Sequence, residues 1–465
     1  MSATATRART TAPLAIPGPA GHRLLGMAGA LRGDLLGTLR AGFAHHGDVV
    51  AYRVGPVRGP QRLRRTVVAF HHPDDVRRVF TDVESFTRLT TSYGVLRELF
   101  GVNLVTANGG EWRRQKRLLQ PLFTRAAAGQ YAELIAAEAR AVVERCHHVP
   151  GPAIDAARAM EAYALRVLGR TLFKDDRGID DDTIAALERL VPVVGAQVRA
   201  RATQLLRFPL RWPTPSNRRF AETRAALHAT IERVLARNAQ HDTGPAHPHE
   251  LDLLSRLRDA RDPEGEQPLS EQEVRDQALI FLIAGHTTTS NALTSTLHLL
   301  GCHPQIQERV AASAAAGRAG ADFREDDPVR AAVQEGLRLH PPSYVLGRHV
   351  GPGGTELGGR GLAPGTDVLV SPWITHRHPD FWSEPETFDP WRFVGADDRP
   401  PYAYFPFGGG ARACIGRHFA LLESTILVRA LLERCRLESL DANVPMDQLI
   451  SMRPAGPVRI RCHPR

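Results

Sequence analysis

A single, mainly helical domain with a small β-rich side is the fold that this sequence predicts, and three observations support it. The longest helical segment lies between Ser270 and Pro304 and would measure about 50 Å at 1.5 Å per residue. Two short segments near the N-terminus, Val49 to Val54 and Arg65 to Phe70, are rich in β-branched residues and predict strands. No linker long enough to divide the 465 residues into separate domains is present.

Residues 1–20 are expected to form a flexible tail, and residues 21–465 the folded domain. Residues 1–14 are rich in Ser, Thr, Ala and Arg and contain no acidic residue, and prolines follow at positions 17 and 19. This composition weakly imitates an organelle transit peptide, but a short disordered tail is the preferred interpretation.

The composition excludes several classes of protein. The net charge is +9, yet the arginines are scattered and only 6% of residues are aromatic, so no nucleic-acid partner is expected. The five cysteines show no C-x-x-C and no paired spacing. This argues against a disulfide framework or a zinc site and indicates a reducing compartment, the cytoplasm. No apolar run reaches about 18 residues, so no membrane anchor is expected.

The other elements follow from apolar spacing and from the positions of Pro and Gly. Helices are predicted over Asp74 to Phe80, from Glu111 onwards, over Ala126 to Phe173 with a break at Pro150-Gly151-Pro152, over Val191 to Arg207, and over Arg219 to Asn238. Loops are predicted over Phe86 to Thr106, which contains a short helix, over Phe208 to Asn217, and over Gln240 to Glu250. A solvated loop explains His241, His247 and His249 better than a metal site does.

The long helix is expected to begin at a capping box formed by Ser270 and Glu273. Its centre reads Ala284-Gly285-His286-Thr287-Thr288-Thr289-Ser290, and both Gly and consecutive hydroxyl residues loosen a helix. A loosened helix would suit a small ligand lying against it, and an ordinary polar kink is the alternative.

A later helix begins near Pro328 and places Glu335 and Arg338 on the same face, three residues apart. Such a pair occurs on many surface helices and carries little weight alone. Pro341 and Pro342 end this helix.

A glycine-rich loop, Phe407 to Gly416, presents Cys414 just before a helical segment, Phe419 to Leu432. A helix N-terminus lowers the pKa of a cysteine, which favours a thiolate. The glycines allow the backbone to approach a large flat ligand, and Arg412 could pair with a carboxylate on that ligand. A thiolate, a flat ligand and a cation together indicate a haem whose iron is bound by cysteine.

Two other interpretations of this loop are weaker. Gly408, Gly410 and Ala413 fit a loose dinucleotide-binding fingerprint, but the proline-rich run Pro400 to Pro406 is a poor central strand ahead of it. A buried structural cysteine is the common role of a lone Cys, but that role would explain neither Arg412 nor the glycines.

The loop resembles, position by position, the cysteine-ligand loop of the cytochrome P-450 family, with Phe407, Gly410, Arg412, Cys414 and Gly416 in its five characteristic positions. Further segments that resemble the family follow in its order from Trp112 onwards. The resemblance covers essentially the whole chain, and soluble bacterial members are the better comparison. It implies the family's fold, which is mainly helical with a small β-rich side.

The resemblance implies haem b, which is iron protoporphyrin IX, with Cys414 as the ligand of the iron. The residues implied to contact this cofactor are Trp112, Lys116, Arg348, His376, Phe407, Gly408, Arg412 and Gly416. The position of Lys116 often holds Arg in the family, and Lys supplies the charge without the bidentate geometry.

A substrate pocket is also implied, roofed by Phe86 to Thr106 and bordered near the C-terminus by Leu449 to Met452. Its implied lining residues are Arg88, Leu96, Phe100, Ala284, Tyr344, Val345, Leu346, Ile450 and Ser451. Arg88 and Arg97 could hold a substrate carboxylate or lie on the surface. A buried structural triad on the cysteine side of the haem would consist of Glu335, Arg338 and Arg392.

The oxygen-binding groove of the family falls on the centre of the long helix, with Thr288 and Thr287 as the implied catalytic residues. Thr288 occupies the position of the family's threonine. Thr287 occupies a position where the family has an acid, and this departure leaves the supply of protons open.

The implied function is that of a monooxygenase, which inserts one oxygen atom of O₂ into a lipophilic small molecule or natural-product intermediate, most simply by hydroxylation. Two electrons would come from a separate ferredoxin or flavodoxin with its reductase. An acidic partner is expected to dock on the cysteine side of the haem, at Arg113, Arg114, Arg117, Arg412 and Arg417. One alternative is an atypical oxidation of a carboxylate-bearing substrate, by decarboxylation, desaturation or peroxide use. Another is a non-catalytic haem sensor, against which Thr288 and the pocket segments argue.

Overall fold

The central element of the fold is a 32-residue helix, Glu271–Cys302, named α12. The side chain of Ser270 accepts a hydrogen bond from the amide of Glu273, and the Glu273 carboxylate accepts one from the amide of Ser270. The predicted capping box is therefore present. Most residues of α12 are buried, because the helix packs against three other helices, Ala156–Phe173, Pro328–Leu339 and Arg417–Arg434.

The structure is a computed structural model, and it describes residues 15–56, 64–147, 153–173, 179–204, 208–241, 253–261, 267–316, 326–396 and 398–465. The helices within this part of the chain are α1 (Ala28–Gly33), α2 (Leu35–His46), α3 (Pro73–Thr81), α4 (Thr91–Phe100), α5 (Gly109–Leu119), α6 (Arg125–Gly129), α7 (Ala132–His147), α8 (Ala156–Phe173), α9 (Asp181–Ala202), α10 (Pro215–His241), α11 (Leu253–Asp259), α12 (Glu271–Cys302), α13 (Pro304–Ala316), α14 (Pro328–Leu339), α15 (Pro372–Thr375) and α16 (Arg417–Arg434). Short 3₁₀ turns cover Gln120–Phe123, Pro390–Phe393 and Gly410–Arg412. The prediction of a mainly helical domain is confirmed.

The β-rich side is built from short strands. These are β1 (Val49–Val54), β2 (Arg65–Phe70), β3 (Phe86–Thr87), β4 (Ile154–Asp155), β5 (Leu346–Val350), β6 (Thr355–Leu357), β7 (Arg360–Leu362), β8 (Asp367–Val370), β9 (Cys435–Ser439), β10 (Met446–Gln448), β11 (Met452–Pro454) and β12 (Arg459–Pro464). The largest sheet has the order β1-β2-β8-β5-β3, in which only β2 and β8 run parallel. β4, β12 and β9 form a second sheet, and β10–β11 and β6–β7 are two-stranded ribbons. β1 and β2 have the predicted bounds.

Helices α9 and α10 begin well before their predicted starts. The helix predicted from Val191 begins at Asp181, because the Asp180 side chain accepts the Thr183 amide and caps it there. Pro192 therefore lies inside α9 rather than near its start. α10 begins at Pro215, within the predicted loop, since proline at the first helical position needs no amide partner.

Several predicted features fall outside the described residues. These are the first fourteen residues of the predicted tail, the break at Pro150-Gly151-Pro152, and the loop histidines His247 and His249. The segment at Pro17 is hydrogen-bonded to β1: the Ala51 amide donates to the Pro17 carbonyl at 2.7 Å. Across the described ranges, no helix is both long and apolar enough to cross a lipid bilayer.

The predicted triad is present beneath α14. Arg338 donates two hydrogen bonds to the Glu335 carboxylate, at 2.7 and 2.8 Å, and neither side chain is exposed. Arg392 lies on the other side of Glu335, with Nε 3.5 Å from Oε1. Arg338 also donates to the carbonyls of three residues in the following segment, His376, Pro385 and Thr387. The triad thus fixes this segment against α14.

Candidate active site

The loop that carries Cys414 is shaped by its own backbone. The Cys414 amide donates to the Phe407 carbonyl at 2.9 Å, and the Gly408 amide donates to the Phe405 carbonyl at the same distance. Gly408 and Gly410 have φ angles of +67° and +62°, in the region that favours glycine. α16 begins at Arg417, directly after this loop.

The glycines of the loop serve different purposes. A Cβ on Gly409 would lie 2.1 Å from a ring carbon of Tyr402, and one on Gly410 would lie 2.1 Å from the Phe80 carbonyl oxygen. These two glycines are required by packing against the protein, so the prediction that they admit a ligand is wrong. Gly408 borders the internal cavity, and so does Gly416.

The thiol of Cys414 faces the cavity. Burial raises its pKa, and this outweighs the Gly416 amide that points at the sulfur and the nearby charges of Lys116 and Arg88. The helix N-terminus alone therefore does not produce the thiolate that the sequence pattern suggested. A metal cation bound by Cys414 would do so, because a coordinating thiol loses its proton.

The cavity has a volume of about 680 Å³ and separates the Cys414 loop from the centre of α12. The residues predicted to line the substrate pocket all border it, namely Arg88, Leu96, Phe100, Ala284, Tyr344, Val345, Leu346, Ile450 and Ser451. Thr287 and Thr288 border it as well, whereas Met452 lies buried behind it.

Helix α9 forms a further wall of the cavity. It contributes Val191, Val194, Gly195 and Val198. Their spacing of three and four residues is the pattern of one helix face, and it would have identified them.

A cluster of four cations borders one part of the cavity: Arg88, Lys116, Arg348 and Arg412. They come from the roof, α5, β5 and the Cys414 loop. Trp112, one turn before Lys116 on α5, lies under the Arg412 guanidinium at 3.9 Å. Among the described residues no carboxylate forms an ion pair with any of the four.

The electrostatics of this cluster favour a negatively charged ligand. Burial and the neighbouring arginines lower the pKa of Arg412 to about 9, and burial lowers that of Arg348 to about 10. The Nε atom of Arg88 is buried without a hydrogen-bond acceptor. Burial would raise the pKa of Tyr93, but Arg88, Arg348 and Arg412 outweigh it and lower that pKa. Uncompensated buried charge is unfavourable, so the cluster fits a ligand with more than one negative group.

The centre of α12 presents a row of hydroxyl groups. Thr288 donates to the Ala284 carbonyl four residues earlier, at 2.8 Å, as expected for a helical threonine. The Thr287 hydroxyl lies 3.1 Å from Nε2 of His286, whose ring is fully buried. The helix stays continuous through this segment.

Comparison with known proteins agrees with this arrangement. The cytochrome P-450 family model matches residues 30–460. The chain belongs to the cytochrome P-450 family. It is 33% identical to cyclooctat-9-en-7-ol 5-monooxygenase of Streptomyces melanosporofaciens, over 90% of this chain and 89% of that protein. It is 30% identical to pentalenene oxygenase of Streptomyces avermitilis, over 84% of each chain. The crystal structure of the cytochrome P-450DA heme domain has the same fold, with a TM-score of 0.81 and 25% identity over 97% of this chain and 98% of that one.

Membership of the cytochrome P-450 family makes the protein a monooxygenase with a cysteine-ligated haem iron. The residues of this structure fit such a group. The four cations match the two propionates of a haem, and Cys414 presents its sulfur to the same cavity. Gly408 borders the same cavity, and its φ of +67° accounts for the glycine, since a Cβ there would make only an ordinary contact with Leu346 at 3.8 Å.

The two arginines for which a substrate carboxylate site and the surface were alternatives lie in different places: Arg88 borders the cavity and Arg97 lies on the surface. Arg88 donates to the Arg412 carbonyl at 3.0 Å, so it belongs to the cation cluster rather than to a substrate carboxylate site. Arg97 forms an ion pair with Glu111 at 3.2 Å and does not border the cavity. No sequence signal distinguished Arg88, because its partner lies 324 residues away in the chain.

The prediction that His376 contacts the haem is wrong. Its ring is fully buried beside the triad, and Nε2 accepts the Phe405 amide at 2.9 Å. This hydrogen bond supports the backbone at Phe405, just before the Cys414 loop, and His376 does not act on the cofactor directly.

The predicted partner-docking surface also changes. Arg412 lies inside the cavity wall, and Arg114 is paired with Glu273 and with backbone carbonyls. Arg417 begins α16, and the two helices that carry Arg125 and Arg330, α6 and α14, both pack against α16.

Proposed function

We propose that this cytochrome P-450 hydroxylates a largely hydrocarbon natural-product intermediate, with haem b bound through Cys414. The main support for this proposal is the apolar part of the cavity, which lies between the roof, α9 and Thr288. When bound, the haem supplies the activation of O₂, which no side chain of the protein can perform.

The residues of the chain have separate tasks in this function. Arg88, Lys116, Arg348 and Arg412 receive the propionates and orient the cofactor. The apolar residues position the substrate and exclude water from the reacting centre. The hydroxyl of Thr288, on the cavity wall, would hold a proton donor inside the cavity.

The nature of the lining supports a hydrocarbon substrate such as a terpenoid. Leu96, Phe100, Val194, Val198 and Ile283 border the cavity and offer no partner for a charged group. The two relatives are named for an unsaturated alcohol and an unsaturated hydrocarbon. The two arginines considered as carboxylate anchors are both occupied elsewhere.

We expect a polycyclic hydrocarbon to bind at least about tenfold more tightly than a carboxylate of the same size, because an unpaired buried carboxylate is costly. The change in haem absorption on titration measures both affinities. A Val198→Arg variant should narrow or reverse the difference by placing a cation on the cavity wall. Tighter binding of the carboxylate to the unmodified protein would contradict the proposed substrate class.

An atypical oxidation, by decarboxylation, desaturation or peroxide use, is the second candidate function. It is favoured by Thr287, which stands where the family has an acid. Hydrogen peroxide supplied in place of O₂ and electrons tests it directly. Product formed with peroxide as fast as with a redox partner would support this second function over the first.

Family members generally use redox partners, and we propose an acidic ferredoxin or flavodoxin with its reductase. The docking surface is centred on Arg417, at the start of α16 directly after the Cys414 loop, with Arg125 and Arg330 on the neighbouring helices α6 and α14. Electrostatic steering of this kind weakens with salt over a Debye length of roughly 10 Å at 0.1 M.

We expect Arg417→Glu to slow electron transfer from an acidic ferredoxin and to reduce its dependence on ionic strength. Arg219→Glu is the matched control, because Arg219 is equally a surface arginine but lies on α10. Stopped-flow reduction at several salt concentrations measures both variants. Equal effects of the two substitutions would show that net charge matters rather than this surface.

A further inference from the structure

His286 lies on α12 but faces away from the cavity that its neighbour Thr287 borders. Its side chain has 0% exposure. Nδ1 lies within hydrogen-bond distance of the Leu282 carbonyl, which can only accept, so Nδ1 carries the hydrogen. Nε2 is then the unprotonated nitrogen, and the Thr287 hydroxyl, 3.1 Å away, donates to it.

Glu161 reaches the same nitrogen from the neighbouring helix α8. Its Oε1 lies 3.9 Å from Nε2 of His286, and its side chain is 24% exposed. One end of this contact is therefore buried and the other meets solvent. The gap is longer than a hydrogen bond, and a small rotation of the carboxyl or one water molecule closes it.

Other charged groups surround Glu161. Glu188 on α9, Asp155 on β4 and Arg453 on β11 act on it, and Arg158 on α8 contacts Glu188. Burial and Glu188 raise the pKa of Glu161, and the opposing effect of Arg453 is smaller. A raised pKa favours the protonated form of the carboxyl, which suits a proton donor.

We propose that Glu161, His286 and Thr287 form a proton route from solvent to the cavity, which replaces the acid that the position of Thr287 lacks. This inference rests on the proposed monooxygenase function, which consumes protons inside the cavity. It adds Glu161, which no sequence pattern indicated.

The transfer can be written with every proton accounted for. The Glu161 carboxyl gives its proton to Nε2 of His286, which becomes an imidazolium with both nitrogens protonated. Nε2 then donates its proton to the Thr287 oxygen, while the hydroxyl hydrogen of Thr287 leaves to an acceptor in the cavity. The Glu161 carboxylate takes a proton from bulk water. The net result is one proton moved from solvent to the cavity.

The environment of His286 favours onward transfer of the proton rather than its retention on the imidazole ring. Burial lowers the pKa of His286 to about 4, so an imidazolium formed there is short-lived.

A second carboxyl, Glu423 of α16, also borders the cavity and is buried. It is the competing candidate for the supply of protons to the cavity.

Glu161→Gln and His286→Gln test the route, since a glutamine amide keeps hydrogen bonds but does not take up a proton at neutral pH. We expect both to lower the rate of product formation by about 10²-fold, the lower end for a positioned proton-transfer group. The electrons should appear as hydrogen peroxide instead. Glu161→Asp should restore part of the rate. Glu222→Gln is the matched control, because Glu222 is an exposed carboxyl on α10 that does not act on Glu161.

A second measurement does not depend on turnover. Infrared titration of the resting protein should show a protonated carboxyl band that is lost in Glu161→Gln and displaced in His286→Gln. A Glu161 band unaffected by His286→Gln would show that the two groups do not interact and would overturn the route. If Glu423→Gln diverts electrons from product to hydrogen peroxide and Glu161→Gln does not, the proposed route is overturned in favour of one through Glu423.

The absorption of the reduced carbon monoxide complex separates this failure from failure of the proposed function. It should be normal in every variant of the route. An unmodified protein that lacks this absorption or forms no product would instead refute the monooxygenase proposal itself.

Discussion

Cys414→Ala is expected to abolish the strongly red-shifted absorption of the reduced carbon monoxide complex. That shift requires a thiolate ligand, and Cys414 presents its sulfur to the cavity from the glycine-rich loop. The variant should still bind some haem, because the four cations that receive the propionates are untouched. Monooxygenase activity should fall to background, since thiolate donation favours cleavage of the O–O bond.

Two further variants sharpen this test. Cys414→Ser keeps the size of the side chain and should also lose the shifted band, because an alkoxide or hydroxyl is not a thiolate. Cys302→Ala is the matched control: Cys302 lies at the end of α12, outside the cavity, and its loss should leave the spectrum unchanged. Survival of the band in Cys414→Ala would mean that another residue binds the iron.

Thr288→Ala is expected to divert electrons from product to hydrogen peroxide. A positioned proton-transfer group typically contributes roughly 10²–10⁴-fold, so the yield of product per electron pair should fall sharply. The unmodified enzyme should already lose some reducing power to peroxide, because Thr287 is far too weak an acid to replace a carboxyl. Product and peroxide are measured side by side with the same redox partner.

The control for this variant lies on the same helix. Thr296 donates to the Ala292 carbonyl at 2.8 Å, the same bond that Thr288 makes to Ala284, but it does not border the cavity. Thr296→Ala should leave the ratio of product to peroxide unchanged, and Thr288→Ser should retain most of the coupling. An unchanged ratio in Thr288→Ala would place the proton route elsewhere and strengthen the atypical oxidation.

The two predictions about proton supply concern different residues of one pathway. Thr288 would act inside the cavity, whereas Glu161 and His286 would bring protons from solvent. If both are correct, combining Thr288→Ala with Glu161→Gln should add little further loss, because residues of one pathway are not additive.

Short-range patterns made much of this protein predictable. The capping box at Ser270 and Glu273, the strands β1 and β2, and the Glu335–Arg338 pair all depend on residues a few positions apart. The loop around Cys414 is of the same kind, because its hydrogen bonds join Phe405 to Gly408 and Phe407 to Cys414. Interactions within a few residues are set by local backbone geometry, so one sequence is enough to recognise them.

The errors came from residues whose surroundings are assembled by distant segments. His376 and Arg392 both follow α14 in the chain, yet only Arg392 contacts Glu335, and His376 turns toward Phe405. The packing reason for Gly409 lies in Tyr402, and that for Gly410 lies in Phe80 of α3. Nothing in the glycine-rich pattern itself separates glycines that face a ligand from glycines that face protein.

By itself, therefore, the sequence determined the helical class, the cysteine loop and the threonine on α12, because each is written in residues that are neighbours along the chain. Only the tertiary structure decided that Arg88 joins Arg412 in one cation cluster and that Glu161 meets His286 across two packed helices. The physical reason is that burial and charge act over a few ångströms in space. Which groups come that close depends on how the helices pack, and no local pattern encodes it.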